Sequence, residues 1–100
     1  MDTGEMSAAL FADHLNAKFI VQAYDKNVVE FELIEVHEYD FRPGQEAFSL
    51  IFRGPLTPIL DQAIRHIEHP SIGECEIFIV PIARKDDGMR YEAAFNRFHK

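Results

Sequence analysis

The amino-acid sequence predicts a mainly β protein, a small antiparallel β-barrel or roll of about five or six strands with a short N-terminal helix. Several observations predict this fold. Stretches of alternating polar and apolar residues are separated by turns rich in glycine, proline, asparagine and aspartate. One stretch also shifts its alternation by a single residue, as a β-bulge does, and bulges are typical of a curved sheet.

The composition is that of one globular domain with its own core. The chain has 100 residues, of which 47% are hydrophobic and 12% aromatic, which is too apolar for a disordered segment. We therefore expect a single domain over residues 1–100, with a flexible tail at 1–6 and a fraying end at 97–100.

The formal net charge of −7 argues against two classes of partner. Nucleic acids and anionic membrane surfaces both require clustered lysine and arginine side chains. The N-terminal residues do not have the basic and then apolar order of a secretory signal, and no apolar run approaches the roughly 20 residues that span a bilayer. The sequence thus predicts a bacterial, cytoplasmic protein with no nucleic-acid or membrane partner.

A short helix is predicted near the N-terminus. Ser7 is a favourable cap, and Ala8–Leu15 contains no glycine or proline. Leu10, Phe11 and Leu15 fall on one helical face. We expect these apolar side chains to close one end of the β structure.

Two strands are predicted after the helix. Lys18–Tyr24 forms the first, and a tight turn follows at Asp25–Asn27, since Asp and Asn tolerate turn conformations. The second strand starts near Val29. Its alternation shifts by one residue at Leu33–Ile34, which predicts a β-bulge there.

The middle of the chain contains one clear strand and one ambiguous segment. A loop at Tyr39–Gln45, with its turn at Arg42-Pro43-Gly44, leads into the strand Phe48–Arg53, which ends where Gly54-Pro55 removes a backbone donor. The apolar periodicity of Thr57–His69 favours a helix with a threonine cap and a proline in the first turn. A strand is the alternative for this segment.

The C-terminal part is predicted to form a hairpin. Gly73–Ile82 is the densest run of strand-favouring residues, and its later half is continuously apolar, which predicts burial on both faces there. Asp87-Gly88 is the strongest hairpin signal, because such a pair favours the positive φ that tight turns need. The chain then returns through the strand Arg90–Asn96.

A set of motifs follows in a fixed order: Phe48-Ser49-Leu50-Ile51-Phe52-Arg53-Gly54-Pro55, His69-Pro70, Gly73, Phe78-x-Val80-Pro81 and Gly88-x-x-Tyr91-Glu92-Ala93-x-Phe95-Asn96. Together they resemble a family of bacterial domains of about this length with no assigned function. The resemblance covers most of Phe11–Asn96. It implies a strand at Ala63–His69 after a helical turn at Pro58–Asp61, in contrast to the helix that periodicity favours.

The chain departs from that family in two places. Arg65 stands where the family has a tyrosine, and Asn16-Ala17 stands where a glycine precedes the first strand. The resemblance also implies a domain that is encoded near phage-tail-like or collar-type proteins. This association implies assembly or accessory work and brings no catalytic residues.

Two groups of residues could form a metal site or a catalytic site, but a structural role explains both of them better. His66 and His69, with Glu68 between them, would share a helical face but lie on opposite sides of a strand. Cys75 lies between two glutamates that would raise its thiol pKa, and no glycine-rich elbow adjoins it. We therefore predict no metal site, no cofactor and no catalytic residue, with Cys75 as a small core residue.

A polar cluster is the remaining candidate site. Arg53 ends a buried strand, Tyr91 and Glu92 lie in the last strand, and His69 lies at the His-Pro corner. We expect an ion pair between Arg53 and Glu92. A small binding site at one end of the barrel is the more specific alternative.

The sequence predicts a non-enzymatic protein-interaction or accessory module, linked to a phage-tail-like assembly, which binds a protein partner or a second copy of itself. The alternative is a barrel, or a minor enzyme, that holds a small molecule in an interior pocket. A filled interior would count against this alternative.

Overall fold

The structure is a computed structural model that describes residues 7–23, 26–39 and 45–98. Its elements are α1 (Ala8–Ala12), β1 (Lys18–Gln22), β2 (Val28–Tyr39), β3 (Gln45–Gly54), β4 (Ala63–His69), β5 (Gly73–Lys85) and β6 (Gly88–Phe98). All six strands pair antiparallel and close into a barrel in the order β1-β2-β3-β6-β5-β4. The predicted fold class, a mainly β antiparallel barrel with a short N-terminal helix, is confirmed.

Large side chains fill the barrel interior. The largest of those that are fully buried are Tyr91, Phe11, Phe19, Phe31, Phe48, Phe52, Leu33, Leu50, Leu60, Ile72 and Ile79. They come from α1, from the turns and from alternate positions of the strands. A barrel with few strands is just wide enough for side chains to fill it, and this one is filled in that way.

Helix α1 closes one end of the barrel through Phe11. Ser7 caps the helix, because its hydroxyl oxygen accepts the backbone N–H of Leu10 at 3.2 Å. The fully buried ring of Phe11 lies 6.3 Å from the ring of Phe19 and 5.9 Å from that of Phe95. The predicted cap and the predicted role of Phe11 are confirmed.

The helix is shorter than predicted, since it ends at Ala12. Leu15 is 44% exposed and does not contribute to the closure. The reason is local: the chain turns into the sheet at Asn16, which has a φ of 71° and donates its N–H to the carbonyl of Leu33 at 2.7 Å. Asparagine tolerates this left-handed conformation better than most residues, so no glycine is needed at this turn.

The first two strands follow the prediction. Strand β1 ends at Gln22, and part of the turn predicted at Asp25–Asn27 lies outside the described residues. The pairing of β2 with β3 shifts between Leu33 and Glu35, so the predicted bulge is confirmed. The loop expected after Tyr39 lies mostly at positions 40–44, outside the described residues.

The second half of the ambiguous segment Thr57–His69 forms strand β4. Ala63–His69 is a strand, as the resemblance implied, and the helix favoured by periodicity is wrong. Ile67 pairs with Val21 of β1 on one side and with Cys75 of β5 on the other. Hydrogen bonds to two neighbouring strands outweigh a local preference for helix, and they complete the barrel. The helical turn expected at Pro58–Asp61 is also absent, since residues 58–61 are irregular.

Strands β5 and β6 form the predicted hairpin. Lys85 pairs with Gly88, whose φ of 141° is the positive value that the turn requires. The expectation that the later half of Gly73–Ile82 is buried on both faces is wrong. Phe78 is 51% exposed, because it lies on the outer face of β5 and that face is not covered at this position.

Only part of the two predicted chain ends lies within the residues that the structure describes. Strand β6 continues to Phe98, beyond the predicted end at Asn96, and residues 99–100 lie outside the described part of the chain. The tail expected at 1–6 lies outside it as well. Within the described residues, no helix has the length and apolar character needed to cross a membrane.

Candidate functional site

The four residues of the predicted polar cluster do not meet. Arg53 and Glu92 lie on the outside of the barrel, Tyr91 lies inside it, and His69 lies beside α1. The expected ion pair between Arg53 and Glu92 is wrong. Arg53 lies opposite Arg90 on β6, whereas Glu92 lies opposite Ile51, so the register separates the two charges.

Arg53 instead belongs to an ion-pair network on the outer face. Its guanidinium donates to Glu32, its direct partner on β2, and to Oδ2 of Asp87 at 3.3 Å. Hydrogen bonding to Glu32, together with the negative charge of that residue, raises the pKa of Arg53 above its usual value. The network therefore joins β2, β3 and the turn between β5 and β6.

Asp87 separates two arginines that the register places side by side. Arg53 and Arg90 are direct partners of β3 and β6, and Nη2 of Arg90 donates to Oδ1 of Asp87 at 2.8 Å. The hydrogen bond from Arg90 is the main reason why the pKa of Asp87 is lowered. A carboxylate between two guanidinium groups removes the repulsion that opposed like charges would cause.

A surface cleft of about 370 Å³ borders this network. Its lining residues are Lys18, Val29, Glu30, Glu32, Arg53, Gly54, Pro55 and Asp87. Lys18 is paired with Glu30 at 3.5 Å, and Arg53 is held by two carboxylates. Because the cations of the cleft are paired with acidic side chains of the same chain, the arrangement stabilises the barrel and is a poor anion site.

Tyr91 has a structural role inside the barrel. Its hydroxyl accepts the buried N–H of Leu60 at 2.9 Å, and its ring stacks on Phe31 with 4.5 Å between the centroids. The hydrogen bond attaches the segment between β3 and β4 to the core. Tyr91 is fully buried, so it cannot contact a ligand on the surface.

Arg65 is a buried arginine on the inner face of β4. Its Nη1 donates to the carbonyl of Ala23 at 3.2 Å, and its Nη2 donates to the carbonyl of Asp61 at 2.9 Å. These carbonyl acceptors for Nη1 and Nη2 offset part of the cost of burying a cation. Arg65 thus connects the end of β1 with the segment that precedes β4.

His69 lies in a histidine pair beside α1. The N–H of Ser71 donates to Nδ1 of His69 at 3.0 Å, and the ring lies 5.0 Å from those of His14 and Phe19. Burial is the main cause that lowers the pKa of His69, and the nearby charge of His14 adds to it. These contacts make His69 a packing residue of the predicted His-Pro corner.

His66 and His69 are separated, as expected for a strand. His66 lies on the outer face of β4 beside Glu74, whereas His69 contacts the buried ring of Phe19. Cys75 lies on the inner face of β5 and is 8% exposed, in agreement with a core residue. Burial raises the pKa of the Cys75 thiol to about 11, so the thiolate needed for nucleophilic chemistry is disfavoured.

An apolar surface on β4 and β5 is the feature that sequence reasoning missed. Ile64 pairs directly with Phe78, and these side chains are 69% and 51% exposed. Farther along β5, Val80 on the same face is half-buried, and Ile82, at the register shift with β6, is 49% exposed. We call Ile64, Phe78, Val80 and Ile82 the apolar strip.

The pattern of polar and apolar residues in β4 and β5 could have predicted the apolar strip. In β4, Ile64 shares its face with two polar residues, and in β5 the apolar residues from Ile77 to Ile82 occupy both faces. The outward half of such a run is exposed if the sheet has only one covered face. Once the sheet is known to close into a barrel, the apolar run in β5 predicts an exposed apolar surface on the outside.

The chain belongs to a family of domains of unknown function. A family model described as Domain of unknown function (DUF6916) matches residues 6–95. This match agrees with the resemblance to small domains without an assigned function. No curated protein and no solved structure matches the chain.

Proposed function

We propose that this member of the DUF6916 family is a non-enzymatic protein-interaction module, whose contact surface is the apolar strip on β4 and β5. One observation carries the proposal. Ile64 and Phe78 are direct cross-strand partners, and more than half of each side chain is exposed to solvent. An aromatic and an aliphatic side chain exposed together are typical of the centre of a protein interface.

The surroundings of the strip have the polarity of an interface rim. His66 and Glu76 form the next cross-strand pair on the same face, and both are polar. A polar rim around an apolar centre excludes water from the contact and allows the free protein to remain dispersed. The partner is a second copy of the chain or another protein with a complementary apolar surface.

The filled interior weighs against the alternative of a ligand-binding barrel. The inward positions carry large side chains, and the surface cleft beside Arg53 is bordered by paired charges. An interior ligand would have to displace close-packed aromatic rings, which is costly. The interaction surface requires no such rearrangement.

The finer features expected from the sequence belong to the same proposal. A bacterial, cytoplasmic setting and a link to phage-tail-like assemblies belong to the proposal, and the resemblance of the motifs supports them. An accessory protein of an assembly needs a contact surface and no catalytic residues.

The proposal is tested by replacing the exposed pair with threonine, which keeps the preference for strand but removes apolar surface. The purified chain and the Ile64→Thr/Phe78→Thr variant are compared by light scattering over a range of concentrations and by capture from extracts of the native host. We expect the wild-type chain to associate with itself or to retain a partner, and the double variant to lose that association.

Val28→Thr is the matched control. Val28 is 54% exposed on β2, outside the apolar strip, so the substitution makes the same kind of apolar-to-threonine change elsewhere on the surface. The control should associate as the wild type does. A monomeric wild type whose captured proteins do not differ from those of the double variant would contradict the proposal.

A further inference from the structure

Three metal-ligating side chains meet on the outer face of β4 and β5, near the turn at Pro70. They belong to His66, Glu68 and Glu74, and one ligand atom of each lies within 4.8 Å of the other two. Nε2 of His66 is 3.0 Å from Oε1 of Glu74 and 3.9 Å from Oε2 of Glu68. The imidazole nitrogen therefore faces both carboxylates.

The ladder between the two strands fixes this arrangement. Glu68 and Glu74 are direct partners, and His66 lies two positions earlier on the same face of β4. Two carboxylates placed directly opposite each other repel, and Glu76 adds a further negative charge opposite His66. A cation held between Glu68 and Glu74 removes this repulsion.

We propose that His66, Glu68 and Glu74 bind a divalent transition metal, and that zinc suits the site best. One imidazole nitrogen and two carboxylate oxygens form a ligand set that zinc accepts, whereas magnesium and calcium prefer oxygen ligands alone. His66 with its proton on Nδ1 offers the Nε2 lone pair to the metal. Three protein ligands leave at least one coordination position for water, as in an exchangeable site.

The side chains can reach the required geometry by small rotations. Zinc bonds of about 2.0–2.2 Å place tetrahedral ligand atoms about 3.4 Å apart, so the widest separation of 4.8 Å must shorten. The two glutamate side chains are 47% and 65% exposed and can change rotamer without moving the backbone. A surface hollow of about 220 Å³ opens beside Glu68 and Glu74, which leaves space for metal-bound water.

This inference does not depend on the proposed interaction role, because it is argued from the three ligand side chains alone; of these, only His66 also belongs to the polar rim of the apolar strip. It also differs from the histidine pair considered in the sequence. His69 lies on the other side of β4, so the second and third ligands are glutamates, one of them from β5.

Isothermal titration of the full chain with zinc chloride tests the site. We expect one bound zinc per chain, and a loss of affinity of at least about tenfold in His66→Gln and in Glu74→Gln, because each removes a ligand. Cobalt should give the visible absorption of a low-coordinate site in the wild type and lose it in both variants. Magnesium should bind at least about tenfold more weakly than zinc.

Two control variants separate a built site from general attraction of cations. Glu76→Gln removes the same charge on the same face, and His37→Gln removes a histidine whose Nε2 is 2.8 Å from Glu35 on β2. Both should bind zinc within about threefold of the wild type, a difference of less than 1 kcal/mol. The inference is overturned if the wild type takes up no zinc, if His66→Gln leaves the affinity unchanged, if Glu76→Gln weakens it as much as Glu74→Gln, or if magnesium binds as tightly as zinc.

Discussion

Replacing Gly54 by alanine is predicted to destabilise the barrel through overpacking. A Cβ at this position would lie 2.6 Å from Cε1 of Phe31 and 2.9 Å from Cε2 of Tyr91. Ordinary contacts of a Cβ start at about 3.4 Å, so the ring of Phe31 would have to move by about 0.8 Å and that of Tyr91 by about 0.5 Å. The φ of Gly54 is not positive, and the cost therefore comes from packing and not from backbone strain.

The surroundings of the two rings set the magnitude of the effect. Phe31 and Tyr91 are stacked at 4.5 Å and fully buried, and Phe31 also packs 5.9 Å from Phe52. Any movement of Tyr91 also strains its hydrogen bond to Leu60. Inserting a methyl group into such a packed core lowers the free energy of unfolding by about 1–3 kcal/mol.

Urea denaturation of Gly54→Ala, Phe31→Leu and the double variant checks this reasoning. Phe31→Leu removes the ring atoms that the new methyl group would meet, so the double variant should be more stable than the sum of the single effects, by about 1 kcal/mol. Additive effects, or a Gly54→Ala variant as stable as the wild type, would refute the overpacking at this position.

Three further outcomes are expected. Tyr91→Phe leaves the buried N–H of Leu60 without this acceptor and should lower the free energy of unfolding by about 1–3 kcal/mol in urea titrations. Since folding lowers the pKa of His69 below 6.5, chiefly through burial, the neutral imidazole is favoured in the folded state. The free energy of unfolding should therefore keep its full value above that pH and decrease below it. Thermal melts at a series of pH values measure this decrease, which should be smaller in the His69→Gln variant. Because burial raises the pKa of Cys75 to about 11, a disulfide thiol reagent at pH 8 should react slowly with the folded chain and rapidly in urea; fast reaction of the folded chain would contradict the buried position.

The strands could be predicted from the sequence because alternation and turn chemistry are local signals. The bulge at Leu33 and the hairpin at Gly88 were predicted within a residue or two of their positions. Strand β4 could not be predicted from its own residues, since its apolar positions also fit a helix. Its conformation depends on hydrogen bonds to β1 and β5, which lie far away in the chain.

The candidate sites depended on register, which the sequence alone did not determine. Arg53 was expected to pair with Glu92, but its partners are Glu32 and Asp87, because Arg90 and not Glu92 lies opposite it. The cluster of His66 with Glu74 requires that β4 and β5 pair in one particular register. Pairs of this kind become predictable only when the alignment of neighbouring strands is known.

The exposed apolar strip was missed for a different reason. A continuous apolar run such as the one around Phe78 fits a strand that is covered on both faces. It fits equally well a barrel strand whose outer face is exposed. The number of layers in the fold decides between the two, and that number is a property of the whole chain.

Site-specific photo-crosslinking from position 78 tests the interaction surface most directly. A photoreactive phenylalanine derivative replaces Phe78 in one protein and Val28 in another, and both positions are about half exposed. After irradiation in extracts of the native host, we predict crosslinks to a second copy or to one partner protein from position 78, reduced by Ile64→Thr in the same chain. Equal crosslinking from position 28, or none from position 78, would contradict a contact surface on β4 and β5.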